Sequence, residues 1–110
     1  MTTDKTGAPT TVTAESDRFS ISVEGHRVGF VEFTDRGSQR IFTHTEVADE
    51  YGGRGLASIL VEEALRATRD AGLRIVAVCP MVAGFVDKHR EFADVVDPVS
   101  RDVKSWLAST

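Results

Sequence analysis

The chain lacks most of the features that cross-link a protein or attach it to a membrane. Cys79 is its one cysteine, which excludes an internal disulfide and favours a reducing, cytoplasmic setting. No apolar run approaches the roughly 18 residues that span a bilayer, and the N-terminus lacks the apolar core of a signal peptide. We therefore expect a cytoplasmic protein without a membrane partner.

Positive charge is also in deficit. The 13 Lys and Arg residues are outnumbered by 17 Asp and Glu residues, which leaves a formal net charge of -4. Nucleic acids and anionic membranes both require a basic binding face, so we expect neither as a partner. A cationic acceptor such as an amine, a lysine side chain or a polyamine is compatible with this charge.

The length and the apolar content predict one small domain. The chain has 110 residues, of which 41% are hydrophobic, enough for a single core. Residues 1–16 contain almost no large apolar side chain, and we expect them to form a disordered leader. The predicted domain therefore covers residues 17–110.

The first half of this domain has the alternation of a half-buried sheet. Apolar and polar residues alternate over residues 19–23, 26–33 and 39–47, and turn signals separate these runs. The pattern predicts an antiparallel meander of three strands.

The apolar period lengthens after residue 54 to that of a helix. The predicted buried stripe consists of Leu56, Ile59, Leu60, Ala64 and Ala67. Gly72 is a natural stop, and residues 73–79 then form an apolar run that predicts a buried strand. A strand, a helix and a strand in succession imply a right-handed crossover and a parallel strand pair.

Two further helices complete the prediction. Pro80 fits the first turn of a helix over about residues 81–88, and Ser100 could cap a last helix. The predicted fold class is therefore α/β, with a meander, a glycine turn, a helix, a parallel strand and C-terminal helices.

The glycine turn before the first helix is the most informative feature. Gly52, Gly53 and Gly55 expose backbone N–H groups at a helix N-terminus, a geometry that suits phosphate. The Gly-Lys-Ser/Thr of a P-loop is absent, and Ser58 stands where a dinucleotide fingerprint requires glycine or alanine. A tight turn without any ligand is the alternative interpretation.

The pattern Glu50-x-x-Gly53-x-Gly55 ahead of an amphipathic helix resembles the pyrophosphate loop of the GCN5-related N-acetyltransferase superfamily. It departs from that loop at Glu50, where the superfamily usually has Gln or Arg, so this carboxylate is expected to point away from the phosphates. Residues 42–47, 78–82 and 88–95 resemble the further motifs of a minimal, single-domain branch of the superfamily. The resemblance covers about residues 18–96.

This resemblance implies a sheet that splays open at acetyl-coenzyme A and acetyl transfer to an amine. The backbone amides that it assigns to the pyrophosphate are those of Gly52, Gly53, Arg54, Gly55, Leu56 and Ala57. Val47 would pair its backbone with the pantetheine arm, while Arg54 and Lys88 would add positive charge near the phosphates. No metal site is expected.

Three side chains are candidates for the chemistry. Cys79 could protonate the departing thiolate, carry the acetyl group covalently, or simply pack as a small hydrophobe. His44 and Glu46 alternate on a strand and share a face, so they could deprotonate an ammonium group or could be ordinary surface residues. Larger superfamily members often use a tyrosine as the acid, but Tyr51 is the one tyrosine here and lies in the loop.

The sequence therefore predicts an acetyl-coenzyme A-dependent N-acetyltransferase that acts on an unidentified primary amine, small or on a protein, by direct transfer in a ternary complex. Two alternatives stay open. One is a non-catalytic acyl-coenzyme A binding or sensing protein, and the other is an interaction module that has lost the cofactor.

Overall fold

The computed structural model describes residues 2–3 and 6–109 of the chain. Its seven strands lie in sequence order in one sheet, and they are β1 (Thr2–Thr3), β2 (Pro9–Ala14), β3 (Arg18–Val23), β4 (His26–Arg36), β5 (Gln39–Val47), β6 (Arg74–Ala77) and β7 (Val96–Asp97). The α-helices are α1 (Leu56–Asp70), α2 (Pro80–Lys88) and α3 (Arg101–Ala108). Short 3₁₀ turns occupy Asp49–Tyr51 and Arg90–Val95.

The sheet changes from antiparallel to parallel at β5. Strands β1 to β5 pair antiparallel, whereas β6 pairs parallel to β5 and β7 pairs parallel to β6. The predicted meander and the predicted parallel pair after the helix are both confirmed. β7 was not predicted, because two residues are too few to show any alternation.

The expectation of a disordered leader over residues 1–16 is wrong for Thr2–Thr3 and Pro9–Ala14, which form β1 and β2. β2 pairs antiparallel with β3, so hydrogen bonds in the ladder satisfy its backbone groups. The strand therefore forms without a strongly apolar sequence. Thr10 is buried and Val12 packs against the core, which shows that a threonine-rich strand can be held by pairing and by two inward side chains. Residues 1, 4 and 5 of the predicted leader lie outside the described part of the chain.

The main core lies between one face of the sheet and helices α1 and α2. The buried residues of α1 are Leu56, Leu60, Val61, Ala64, Leu65 and Thr68. The predicted stripe was wrong at Ala67, which is exposed, and it missed three buried residues, Val61, Leu65 and Thr68. Thr68 tolerates burial because its hydroxyl donates to the Ala64 carbonyl at 2.8 Å.

A smaller core lies on the other face of the sheet, under α3. Ile41, Val76 and Val103 are buried there. The Ser100 hydroxyl accepts a hydrogen bond from the Val103 N–H at 3.1 Å, so the predicted cap of the last helix is confirmed. The sheet is therefore covered on both faces at the β5–β6 junction.

The strand expected over residues 73–79 is shorter in the structure, because its last two residues leave the ladder. The N–H groups of Val78 and Cys79 both donate to the carbonyl of Phe42, at 3.1 and 2.9 Å. Regular pairing would use one donor for each carbonyl, so β6 turns away from β5 at this point. Pro80 then begins α2 directly, as the sequence predicts.

Asp97 ties the last strand to the rest of the sheet. Its carboxylate accepts from the Gln39 amide at 2.9 Å and from the Arg74 guanidinium at 2.7 Å. These partners, Gln39 foremost, hold the pKa of Asp97 below its ordinary value of 3.8, although burial acts in the opposite direction.

We predict that Asp97→Asn lowers the free energy of unfolding at pH 7 by about 1 kcal/mol, because a charge-assisted contact is lost at a partly exposed site. A pKa lowered by folding stabilises the protein above about 3.8, and this stabilisation disappears as the pH falls through the folded-state pKa. Urea unfolding at pH 7 and at pH 3 should therefore show a smaller difference between the variant and the parent at pH 3. Asp94→Asn, at an exposed neighbouring carboxylate, is the control, and an equal loss there would contradict the assignment.

Candidate functional site

The glycine turn has the backbone conformation that only glycine adopts readily. Gly53 and Gly55 have φ angles of 78° and 76°, in the left-handed region. A Cβ at Gly53 would meet no atom within 4 Å, so the turn faces open space. Gly55 immediately precedes α1, and among the described residues no side chain caps the first turn of that helix. The N–H of Gly52 already donates to the Asp49 carbonyl at 3.0 Å, so an approaching anion would meet the N–H groups at the start of α1.

Arg54 stands within the turn and is held by two neighbours. Its guanidinium donates to the Thr6 hydroxyl at 3.2 Å and lies 5.0 Å from the centre of the Tyr51 ring. Both contacts orient a positive charge next to the exposed amides. Glu50 is exposed in the preceding 3₁₀ turn.

A groove with a volume of about 300 Å³ runs from the start of α1 to α2. It is lined by Ala57, Ser58, Val61, Pro80, Met81, Gly84, Phe85, Lys88 and His89. Gly84 lacks a side chain at its floor, and a Cβ there would touch nothing within 4 Å. Met81 is 47% exposed, which is unusual for a large apolar side chain and gives the groove an apolar rim. The groove therefore adjoins the glycine turn at the start of α1 and offers a largely apolar lining.

The C-terminal half of β5 has an open edge on the side of β6. Pairing with β6 ends at Phe42, so residues 43–47 are paired with β4 alone among the described strands. Ala48 donates its N–H to the Val28 carbonyl at 2.8 Å, so Val47, one residue earlier, turns its backbone groups away from β4 and toward this open edge. An extended chain could pair there as an added strand.

Cys79 lies at the point where β6 diverges. It is 4% exposed and belongs to the main core, and its Sγ is 3.2 Å from the Thr45 hydroxyl. Thr45 is on the open part of β5, so this contact spans the gap between the two strands. The structure thus brings Cys79 to the open edge, as the splayed-sheet interpretation requires.

His44 and Glu46 lie on the other face of β5. Their side chains are 56% and 64% exposed, and Nε2 of His44 is 3.9 Å from Oε1 of Glu46. The His44 ring lies beside Phe30 of β4, at 6.1 Å between centroids. Because neighbouring strand residues point to opposite faces, the pair is separated from Cys79 by the thickness of β5.

Lys88 and His89 are at the far end of the groove. The His89 ring stacks on Phe85 at 3.8 Å, and its Nδ1 is 2.9 Å from the Phe85 carbonyl. This contact assigns the Nδ1–H tautomer and leaves Nε2 as the outer nitrogen. Lys88 is exposed and belongs to the groove rim, away from the buried Cys79.

The family described as GCN5-related N-acetyl-transferase matches residues 18–95, which is most of the chain. The chain belongs to this family. Membership supports its assignment as an N-acetyltransferase and confirms the resemblance drawn from the glycine turn. The match does not extend to the narrower branch, which stays a prediction. No curated protein has a significant match to the chain.

A solved structure with a similar backbone supports the same GCN5-related fold. A GCN5-like candidate N-acetyltransferase from Staphylococcus aureus, determined by NMR in solution, is 22% identical with a TM-score of 0.64, over 83% of this chain and 91% of that one. At this identity the likeness shows the fold alone. A ribosomal-protein-alanine N-acetyltransferase from Brucella melitensis biovar Abortus 2308 is 20% identical with a TM-score of 0.49, over 76% of this chain and 64% of that one.

Several residues of this GCN5-related site were missed by the sequence analysis. Thr45 contacts Cys79, and the alternation along β5 that places it opposite His44 could have indicated it. Gly84 could have been noticed as a glycine inside a helix, where it costs stability unless space is needed. Phe30 carries no sequence signal, because its place beside His44 depends on the β4–β5 register.

None of the helices in the described ranges is long and apolar enough to cross a bilayer.

Proposed function

We propose that this chain transfers an acetyl group from acetyl-coenzyme A to a primary amine in a ternary complex. One observation carries the proposal, namely that an anion-binding turn, an apolar groove and an open strand edge meet around the start of α1. A pyrophosphate, an adenosine and a pantetheine arm require these three features in one continuous surface.

The glycine turn would receive the pyrophosphate. Among the amides of residues 52–57, that of Gly52 already donates to the Asp49 carbonyl. The others lie at or next to a helix N-terminus whose dipole favours negative charge, and Gly53 leaves room for the phosphates. Arg54 adds a cation that Thr6 and Tyr51 already orient. Lys88, on the rim of the groove, is the second cation within this surface.

The open edge of β5 would hold the pantetheine arm through the backbone groups of Val47. This places the thioester in the gap between β5 and β6, beside Cys79 and Thr45. A gap between two strands opens to both faces of a sheet. An amine on the face of His44 and Glu46 can therefore reach a thioester that enters from the face of α1.

The reaction balances with the groups present. His44 takes a proton from the acceptor ammonium, and the freed nitrogen lone pair attacks the thioester carbonyl carbon. The C–S bond then breaks as the C–N bond forms, and the Cys79 thiol donates its proton to the departing thiolate. The second proton of the acceptor nitrogen leaves through water and reprotonates Cys79, while His44 releases the first proton to solvent. Glu46 supports the charge that His44 gains, at 3.9 Å in the resting arrangement.

A non-catalytic acyl-coenzyme A sensor is the second candidate. The observation that favours it is the position of Tyr51, which packs against the core and Arg54 instead of standing at the gap. Turnover of acetyl-coenzyme A with a panel of amines separates the candidates, since a sensor binds without turnover. The cytoplasmic location and the lack of a nucleic-acid partner stay predictions from composition.

We predict that Gly53→Asp weakens coenzyme A binding by more than about tenfold, because it places a carboxylate against the proposed pyrophosphate site. Isothermal titration with coenzyme A measures the effect. Gly37→Asp is the matched control, since Gly37 also has a positive φ, of 59°, and open space, but lies in the distant β4–β5 turn. Equal affinity of both variants for coenzyme A would show that the turn is not the anion site.

Gly84 offers a second test of the groove. We predict that Gly84→Leu fills the groove and weakens coenzyme A binding by at least about tenfold, equivalent to about 1.4 kcal/mol, without loss of stability. The control Gly84→Ala should bind better than the leucine variant and unfold at a higher temperature, because alanine stabilises a helix by about 0.5–1 kcal/mol over glycine. Full coenzyme A affinity of Gly84→Leu would show that this groove does not hold any part of coenzyme A.

The role of Cys79 can be separated from its packing. We predict that Cys79→Ala lowers turnover by about a hundredfold while coenzyme A affinity changes little, since a general acid acts in the transition state. Val82→Ala, which removes a buried side chain from the same end of α2, controls for loss of packing. If Cys79→Ala is as active as Val82→Ala, Cys79 only packs in the core and is not the general acid.

A further inference from the structure

A second cavity, with a volume of about 420 Å³, lies where β4 begins and β5 ends. Its lining consists of Arg27, Val28, Gly29, Phe30, Glu46, Val47, Ala48 and Asp49. This volume is within the range of small-molecule sites, and the lining differs entirely from that of the α1–α2 groove. The cavity is therefore separate from that groove, although its lining shares Val47 with the open edge of β5.

The cavity adjoins the place where chemistry is proposed. Val47 lines it and also packs against the main core, which includes Cys79. Glu46 lines it as well, and its carboxylate is the neighbour of His44. The cavity thus shares Val47 with the open edge of β5 and Glu46 with the face that carries the proposed base.

The charge of the cavity favours a cation. Arg27 is the one cation of its lining, and the Glu15 carboxylate contacts it at 2.6 Å. The Ser20 hydroxyl, which donates to Glu15 at 2.6 Å, and the Arg27 charge hold the pKa of Glu15 below its ordinary value, so this partner is ionised near neutrality. Because Glu15 neutralises Arg27, the remaining charged residues of the lining, Glu46 and Asp49, give the cavity a net negative charge.

The remaining walls are apolar. The side chains of Val28, Phe30, Val47 and Ala48 contribute carbon surface, and Gly29 leaves space where a Cβ would come within 2.8 Å of the Glu46 carbonyl. The Arg18 guanidinium already lies over the Phe30 ring, at 4.7 Å from its centroid, so this ring offers apolar contact to an aliphatic stem. The two carboxylates are the groups that would attract an ammonium on that stem.

We propose that this cavity is the acceptor subsite and that it binds an aliphatic primary ammonium, with Asp49 and Glu46 facing the cation and Phe30 packing against the stem. The inference rests on the proposed acetyl transfer and specifies its acceptor class. A free alkylamine or diamine and the side chain of a lysine share this chemistry. Aromatic amines and anionic acceptors do not fit it.

The test uses the full chain, labelled with ¹⁵N, without coenzyme A. Butylamine hydrochloride should shift the amide signals of Gly29, Phe30 and Ala48, whereas 1-butanol, its uncharged analogue, should not. Nα-acetyl-lysine methylamide represents a lysine side chain, and 1,4-diaminobutane represents a free amine. The compound that binds more tightly indicates which of the two is the acceptor. Shifts confined to the α1–α2 groove, or equal shifts with butanol, would overturn the proposal.

Asp49→Asn supplies the matched variant, since it removes one carboxylate from a residue outside the proposed catalytic group. We expect amine affinity to fall about threefold to tenfold, and acetyl-coenzyme A affinity to stay unchanged. Glu50→Gln changes the next residue of the same 3₁₀ turn, which does not line the cavity, and should leave amine affinity unchanged. An equal effect of both variants would contradict the subsite, because it would indicate a diffuse surface charge.

The two proposals fail separately. If amines bind in this cavity but the protein never transfers acetyl groups, the acetyltransferase mechanism fails and the subsite stands. If acetyl-coenzyme A is turned over while amines leave the signals of Gly29 and Ala48 unmoved, the subsite fails and the enzyme assignment stands.

Discussion

The double hydrogen bond to the Phe42 carbonyl is the constraint on which the rest of the site depends. Because Val78 and Cys79 both donate to this one acceptor, β6 cannot continue along β5. The backbone of β5 beyond Phe42 then has an edge that β6 does not cover. The same divergence positions Cys79 opposite Thr45 and allows Pro80 to begin α2 at once.

This divergence makes β5 a partition between two environments. The face toward α1 holds the glycine turn, the apolar groove and the buried Cys79, which together suit a large anionic ligand with an apolar arm. The opposite face holds the exposed His44 and Glu46 beside Phe30, which suit a small cation. Opposite charge preferences on the two faces keep the two proposed substrates apart until they meet at the gap.

Much of the fold was readable from local patterns, because those patterns report interactions between near neighbours. The alternation in β3, β4 and β5, the helical period of α1 and the cap at Ser100 all depend on short sequence distances, and the structure confirms them. β2 was missed for the opposite reason. Its threonines carry little apolar signal, and the strand is ordered by hydrogen bonds to β3.

The sequence by itself determined the glycine turn, the amphipathic helix after it and the family to which these belong. Left-handed φ angles such as those of Gly53 and Gly55 strongly favour glycine, so residue type alone carries most of that information. The tertiary structure alone decided that Cys79 and His44 lie on opposite faces of β5, and that Phe30 and Asp49 line one cavity. Those relations depend on strand register and on a shared carbonyl acceptor, which are contacts between distant residues and leave no local pattern.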